Sequence, residues 1–557
     1  MTTTVEKQAN GQFLYKPARV AEVPNIDLMT MLFESGPCRV PVDTIIHADA
    51  DEPSNNLNKE KLLRQSKKAA HVLRNVYGIG ANGPDKDVVF NISTGHFMLP
   101  VLFYGTIAAG GIFSSTSPTA TADEVAYQLR QTEAKVVVCR PETKVTALAA
   151  ARKVDFAPRN VLIFDEADTG AKVPISNQEL DWRRITDQTE LEDSIICLLF
   201  SSGTTGLPKA MRLSHRNSVA AASLVLEPFE HIAATRPPSF RSITLAHLPA
   251  AHIAGVQSYF VNQLYMGGTC YWMPQFDFPK FCQHAKKYAV TSMFTVPPIF
   301  LLIAKSPIVK DHFDTWEDAL AGAAPMGQEL QVAAGKKLGK GKTALRQTFG
   351  LSETVCSITA TPSDLAHTAP AGSVGCLVAS CYARMSDIFP HDSVDDNGKD
   401  VEPGEEGEMW VKGPVNDKAN QDAFHDGWFR TGDICVFRDG VFFIVDRKKE
   451  LIKYKGSQVA PAELEAILLS HPHVLDAAVI GIPGEGTEVP RAYVVADQEK
   501  VSANGLIEWF SKQGLSSSKK LRGGVVFLDA IPKSPSGKIL RRDLREMVKK
   551  EFKTSKI

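Results

Sequence analysis

A short apolar run, Ile195 to Phe200, breaks into Ser201-Ser202-Gly203-Thr204-Thr205-Gly206-Leu207-Pro208-Lys209, and no other stretch constrains the chain as much. The run predicts a buried strand. The glycines Gly203 and Gly206 let the backbone turn tightly and aim its N–H groups at one point. The hydroxyls of Ser201, Ser202, Thr204 and Thr205 and the ammonium of Lys209 add further donors. Such a concave donor array is an anion nest, suited to a polyphosphate. The alternative for a Gly/Ser/Thr tract is a flexible linker. The string is not a Walker loop, which needs about four residues between its glycines and Gly-Lys-Ser/Thr after them.

At 557 residues the chain exceeds one hydrophobic core, so two or more domains are expected. A net charge of −1 gives no reason to expect nucleic acid or an anionic membrane as the main partner. The nine cysteines contain no Cys-x-x-Cys pair, which argues against a zinc site and a disulfide framework. Met1 to Pro17 is polar and lacks the apolar centre of a secretory signal. Phe97 to Phe113 is uncharged, but Pro100 and glycines interrupt it and it falls short of the ~20 apolar residues a bilayer requires; a buried helix is the reading. Leu57 to Val76 has apolar residues at helical spacing and predicts an amphipathic helix. Helices at Leu99–Ala108 and Asp123–Gln131 alternate with strands at Lys135–Cys139 and Asn160–Phe164, which predicts α/β architecture with mostly parallel sheets. Helices are also predicted at Leu213–Val225, Ile253–Tyr265 and Pro461–Ser470. Two glycine strings are decoys. Gly78-Ile79-Gly80-Ala81-Asn82-Gly83 follows a helix rather than a strand, against the dinucleotide pattern. Gly341-Lys342-Thr343 lacks the first glycine of a Walker loop, because position 336 is Lys336.

Further motifs follow in order. Ala321-Gly322-Ala323-Ala324-Pro325 is a small-residue turn that a flat ring can approach. Gln347-Thr348-Phe349-Gly350-Leu351-Ser352-Glu353 joins an aromatic, a hydroxyl and a carboxylate. Trp428-Phe429-Arg430-Thr431-Gly432-Asp433 ends in an aspartate able to accept two vicinal hydroxyls. A charged stretch, Asp446 to Val459, lies between an apolar strand and a helix, where a domain boundary would fall. Ser534-Pro535-Ser536-Gly537-Lys538 closes the series.

Together with Ser201–Lys209, and over about residues 55–545, these motifs resemble the adenylate-forming superfamily of acyl-CoA synthetases, 4-coumarate-CoA ligases, firefly luciferase and stand-alone adenylation domains. The resemblance implies a large N-terminal domain, residues 1–446, of two α/β subdomains plus a small β subdomain. A small mobile α+β C-terminal lid, residues 447–557, follows. It implies an ATP site made by Ser201, Ser202, Gly203, Thr204, Thr205, Gly206, Lys209, Ala323, Gln347, Thr348, Phe349, Gly350, Ser352, Asp433, Arg447 and Lys538. Within it Phe349 stacks on adenine, Ser352 meets the α-phosphate, Glu353 holds Mg²⁺ and Asp433 accepts the ribose hydroxyls. Lys538 enters the site for the first half-reaction. Lys453 and Gln458 face it for the second, Lys449 sits at the hinge, and Lys455 and Gly456 touch CoA. His252 lines the acyl pocket and gates the thiol, with Ala254 beside it. Thr295-Val296-Pro297-Pro298 shapes the pocket wall. Thr348 stands where relatives have glycine and should narrow the acyl pocket. Gln275 stands where a related ligase places a lysine on CoA, which puts that contact in doubt.

The implied reaction is adenylation of a carboxylic acid by ATP with Mg²⁺, then transfer of the acyl group to CoA. Loading of a carrier protein and luciferase-like oxidation are the alternatives; no carrier segment follows Lys538 in the sequence. A nucleotide-binding pseudoenzyme is disfavoured because Lys209, Glu353, Asp433, Arg447 and Lys538 are all present. Ala254 and Gly255 open room near His252 and weaken a specific 4-coumarate assignment. The tail Ser555-Lys556-Ile557 is one conservative step from the peroxisomal address Ser-Lys-Leu and suggests a peroxisomal import receptor as partner.

Overall fold

The computed structural model describes residues 2–35, 40–163, 176–201, 208–225, 240–355, 357–387, 399–413, 424–455, 457–484, 486–534 and 537–554. Strand Ile195–Ser201 lies inside a six-stranded sheet. The order across it is Lys209–Ser214, Ile195–Ser201, Ile112–Thr116, Val88–Ile92, Val136–Cys139, Val161–Ile163. Lys209–Ser214 is antiparallel to its neighbour and the rest are parallel. Every residue of Val88–Ile92 and of Ile112–Thr116 is buried, as in a parallel sheet covered on both faces, and Asn91, Ser114, Ser115 and Thr116 are buried with their apolar neighbours.

The predicted amphipathic helix is Lys59–Asn75, with Leu62, Ala69, Val72 and Leu73 buried. It starts at Asn58, whose side chain accepts the Lys61 N–H at 2.8 Å, a common N-cap. It packs on Leu99–Ala108, the buried helix read from Phe97–Phe113. The first glycine string is a turn. Gly80 has φ +69° and a Cβ there would lie 2.1 Å from the Ala109 carbonyl, while its N–H binds Asp87 Oδ2 at 2.8 Å. Phe164, the predicted end of one strand, lies outside the described residues.

A second α/β unit holds two sheets. In one, Ile243–Ala246, Thr269–Trp272 and Ile45–Asp49 pair in parallel and Asn56–Asn58 closes antiparallel. In the other, Ser292–Thr295, Asp318–Ala321 and Leu345–Phe349 are parallel. One large core joins the two α/β units. A separate core lies under an antiparallel sheet that includes Phe13–Lys16, Tyr382–Ser386, Gly407–Lys412, Trp428–Arg438 and Val441–Arg447. Tyr15, Phe437 and Phe442 meet there edge to face or tilted. Two expected helices differ in detail. Leu213 and Ser214 belong to a strand, and the helix is His215–Val225. The helical stretch from Ile253 to Tyr265 is α only at its ends; Val256–Asn262 is a π-helix.

The C-terminal unit is α+β. Helix Pro461–Ser470 packs on antiparallel strands Val474–Gly484 and Thr487–Ala496, with Val525–Phe527 parallel beside them. Helices Ala503–Ser511 and Arg541–Thr554 complete it. It has cores of its own and docks on the second α/β unit at defined places. Lys305, the last residue of helix Pro297–Lys305, donates to the carbonyls of Leu469 at 2.8 Å, His471 at 3.3 Å and Val474. A cation thereby caps the C-terminal end of helix Pro461–Ser470 and the start of the strand that follows. Nearby, a Cβ on Gly327 would lie only 2.8 Å from the Ala466 methyl. Among the described residues no helix is long and apolar enough to cross a membrane.

Candidate active site

A cavity of about 130 Å³ opens between the helical stretch Ile253–Tyr265 and the strands Ser292–Thr295 and Asp318–Ala321. Seven residues singled out in the sequence line it together: His252, Ala254, Ala323, Thr348, Gly350, Ser352 and Lys538. They span almost three hundred positions of chain, and Lys538 comes from the C-terminal unit.

His252 is held by its place at a helix start. Its backbone is extended and its Nδ1 accepts the Ala254 N–H at 3.2 Å. Burial, and secondarily the Lys538 charge, push its pKa down to about 3, so the ring is neutral at physiological pH. Gly255 is required by packing, since a Cβ there would fall 2.3 Å from the Pro249 carbonyl. Thr348 sends its hydroxyl to the Thr359 carbonyl at 2.6 Å and to Ser357 Oγ at 2.8 Å. Its methyl stays against Gly322, where an added Cβ would meet Thr348 Cγ2 at 3.1 Å.

Lys538 arrives on a tight loop. Ser534 N–H binds the Lys538 carbonyl at 2.8 Å, and Lys538 N–H binds Ser534 Oγ at 3.1 Å. Gly537, at φ +80°, lies against the wall made by Val296 and Pro298. The Thr295–Pro298 segment therefore receives the lysine loop, a part the sequence did not reveal. Loss of water lowers the Lys538 pKa to about 8; Arg447 and Lys449 press it the same way, and Asp433 and Glu353 oppose them. Two cations and two carboxylates thus converge on this ammonium.

Asp433 and Arg447 face each other across paired strands, with Arg447 Nε 3.3 Å from Asp433 Oδ1. Asp433 is 4% exposed, and burial raises its pKa to about 6 against the pull of Arg447 and Lys538. Its Oδ2 is buried with no hydrogen-bond partner among the described residues. A carboxylate kept buried with one oxygen unpaired is costly, and a ligand's hydroxyl would satisfy it. Glu353 lies in the turn Ser352–Thr354, which ends at Val355 with φ +51°. A β-branched residue in that conformation stores strain, of a kind found where structure is committed to a site.

Other expected residues stand elsewhere. Gln347 is buried and donates to the Met326 carbonyl at 3.1 Å and to Gln331 Oε1 at 2.9 Å, bracing the floor without lining the cavity. Phe349 packs on the core of the antiparallel sheet. Lys453 and Lys455 are exposed on the hairpin Ile452–Tyr454/Ser457–Val459, and their N–H groups are tied to Glu488 and Thr487. Gln458 is half-buried, with its Oε1 unpartnered among the described residues. Lys449 is exposed as a residue, yet loss of water around its ammonium and the charge of Arg447 lower its pKa. Lys209 opens the edge strand, opposite Ser201. Ser202, Gly203, Thr204, Thr205, Gly206, Gly456 and the tail Ser555–Ile557 lie outside the described residues, as does the Ser201 side chain. Sequence reading missed Gln257, Asn262, Met293, Phe294 and Leu320 as lining residues. No motif marks them, and the π-turn that orients the first two has no sequence signature.

A family model described as AMP-binding enzyme matches residues 39–418, and one described as AMP-binding enzyme C-terminal domain matches residues 463–538. An Emericella nidulans protein described as an acyl-coenzyme A synthetase is 42% identical, over 96% of this chain and 98% of that protein. Peroxisomal OPC-8:0-CoA ligase 1 of Arabidopsis thaliana is 31% identical, over 96% of each chain. The fold matches that of ATP-bound MatB from Rhodopseudomonas palustris, with a TM-score of 0.78 at 24% identity over 94% of this chain and 98% of that one. The chain belongs to the AMP-binding enzyme family, and its relatives there are acyl-CoA synthetases and ligases.

Proposed function

We propose that this chain activates a carboxylic acid with ATP and passes the acyl group to CoA, with residues 1–446 as the adenylation core and 447–557 as the lid. The carrying observation is the convergence of Lys538 with Asp433, Arg447 and Glu353 beside a cavity that also holds His252 and Ser352. A carboxylate resists a thiol because its leaving group would be oxide. Its oxygen therefore attacks the α-phosphorus of ATP in line, and the bond to the pyrophosphate oxygen breaks. Such a transfer needs positioning and cancellation of charge more than covalent help. Lys538 neutralises the carboxylate and α-phosphate oxygens, Ser352 donates to the phosphate, and Asp433 takes the ribose hydroxyls. Ser201–Lys209 holds the outer phosphates.

Glu353 would hold Mg²⁺. It fits: a hard cation takes one or two carboxylates plus substrate phosphates, and the Glu353 carboxylate lies near enough to Lys538 to hold up its pKa. The ion would supply charge neutralisation on the phosphates. In the second step the lid turns about Lys449, so that Lys453 and Gln458 replace Lys538. The CoA thiolate then attacks the acyl carbonyl past His252, and AMP leaves. A neutral His252 suits a gate that can swing without dragging a charge through an apolar pocket.

Incubation with a panel of acids, ATP and CoA should release AMP and pyrophosphate together and form thioester. AMP without CoA consumption would favour another acceptor, and no AMP with any acid would overturn the reading. Asp433→Ala should raise the KM for ATP about 10–100-fold, the worth of hydrogen bonds to a buried charge. In the wild type kcat/KM for ATP should fall as pH drops through about 6, because the carboxyl that accepts the ribose hydroxyls then takes up a proton. Lys305→Met should loosen the docked lid. Adenylation is expected to slow by about fivefold, as for loss of ~1 kcal/mol of hydrogen bonding, with no loss in thioester formation from supplied acyl-adenylate.

A further inference from the structure

The cavity floor carries a polar pair that the two half-reactions do not use. Gln257 and Asn262 both line it, and Gln257 Nε2 donates to Asn262 Oδ1 at 2.8 Å. The π-helix Val256–Asn262 makes this pairing possible. In an α-helix residues five apart point about 140° away from each other, whereas i→i+5 bonding stacks them one turn above the other. Single π-turns of this kind recur at functional sites. Gln257 is 1% exposed, yet its Oε1 has no hydrogen-bond partner among the described residues.

Four other polar groups of the lining are engaged. Tyr259 Oη accepts the N–H groups of His247 and Leu248. Gln263 Nε2 donates to the Ser242 and Thr269 carbonyls. Asp318 pairs with Arg346, and the Thr348 hydroxyl bonds the Thr359 carbonyl. The apolar remainder, Met293, Phe294, Leu320 and Met266 among it, takes hydrocarbon. A fully buried, unpartnered acceptor in the wall of such a cleft is a recognition element for a donor on the ligand.

We propose that the acyl pocket selects carboxylic acids that carry a hydroxyl at the end remote from the carboxylate, with Gln257 Oε1 accepting its hydrogen bond and Asn262 holding the amide in place. The assignment rests on the ligase reading of the site. His252 lies close enough to Lys538 for its charge to press on the ring, and Gln257 lines the same cavity five residues further along the helical stretch, so the lysine end takes the carboxylate and the Gln257 amide is left for a group elsewhere on the acid.

Two matched pairs test it: ω-hydroxyoctanoate against octanoate, and para-hydroxyphenylpropanoate against phenylpropanoate. In at least one pair the hydroxylated acid should win by about 10–100-fold in kcat/KM, since the deoxy acid leaves a buried acceptor unpaired. Non-hydrolysable acyl-sulfamoyl adenylates of the same pair should show the same ratio in Kd by calorimetry. Gln257→Leu, close in shape and without the acceptor, should bring the ratio to about one or reverse it. Equal or better use of both deoxy acids by the wild type overturns the proposal while the ligase reading stands, and so does a ratio that Gln257→Leu leaves intact. The wild-type ratios decide even if the variant does not fold. Failure to release AMP with any acid removes the ligase reading and this proposal with it.

Discussion

Lys538→Ala will slow acyl-adenylate formation by about 10²–10³-fold, the usual loss when one preorganised charge-stabilising donor is removed from a water-poor site. ATP–pyrophosphate exchange measures it directly. Thioester formation from supplied acyl-adenylate should persist if, as proposed, that step uses the Lys453 face of the C-terminal unit. Lys453→Ala should give the reverse pattern, which fits its exposed place on the hairpin while Lys538 occupies the cavity. If exchange in Lys538→Ala runs at the wild-type rate, the role is wrong. The pH profile adds a second constraint. Burial brings the Lys538 pKa down to about 8, and only the ammonium form neutralises phosphate and carboxylate. Adenylation kcat/KM should therefore decline as pH rises through about 8, and Lys538→Arg should shift that limb upward because guanidinium does not titrate there. With Asp433 near 6 at the acid side, the two groups bound a bell whose limits belong to an interacting cluster.

The same region tells what a sequence can and cannot disclose. Strand Ile195–Ser201, helix Pro461–Ser470 and helix Leu99–Ala108 were legible because hydrophobic runs, Pro at a helix start and buried small residues act locally. Asp433, Arg447, Ser352 and Lys538 were singled out only as members of motifs, since nothing local marks groups that meet across separate elements of the fold. What the motifs left out is of a different kind. Gln347 belongs to the adenine motif, yet it braces Met326 and Gln331 beneath the site. The Thr295–Pro298 segment is a seat for the lysine loop as well as a pocket wall. The Gln257–Asn262 pair depends on one inserted residue per turn, a change of helical register that hydrophobic periodicity averages away. Tertiary contact assigned these roles, and propensity had no vote in them.

Arg541→Met should destabilise the lid by about 3–5 kcal/mol, the cost of stranding one partner of a buried ion pair. Arg541 Nη2 meets Glu465 Oε1 at 2.7 Å and Oε2 at 2.8 Å, and Glu465 Oε1 also accepts the Val479 N–H at 2.8 Å. Three elements of the lid, Pro461–Ser470, Val474–Gly484 and Arg541–Thr554, are thereby tied at one point. Arg541 follows Lys538 by three residues, so slackening here also frees the loop that carries Lys538. Burial already raises the Glu465 pKa to about 7 despite Arg541, and without the guanidinium it rises further. A carboxyl whose folded pKa exceeds its unfolded value takes up protons on folding, so its contribution falls as pH climbs from about 4.5, its unfolded value, towards the folded one. The variant's lid should therefore be more stable near pH 5–6 than near pH 8. Hydrogen exchange over residues 461–554 would resolve this locally, where a whole-chain melt of several domains is not two-state. The double variant Arg541→Met, Glu465→Leu is the control, because replacing a buried pair by apolar side chains of similar volume is often neutral or stabilising. If the single variant exchanges like wild type at pH 8, the pair does not hold the lid together. If the double variant recovers protection but adenylation stays slow, the pair's further task is to aim Lys538 into the cavity.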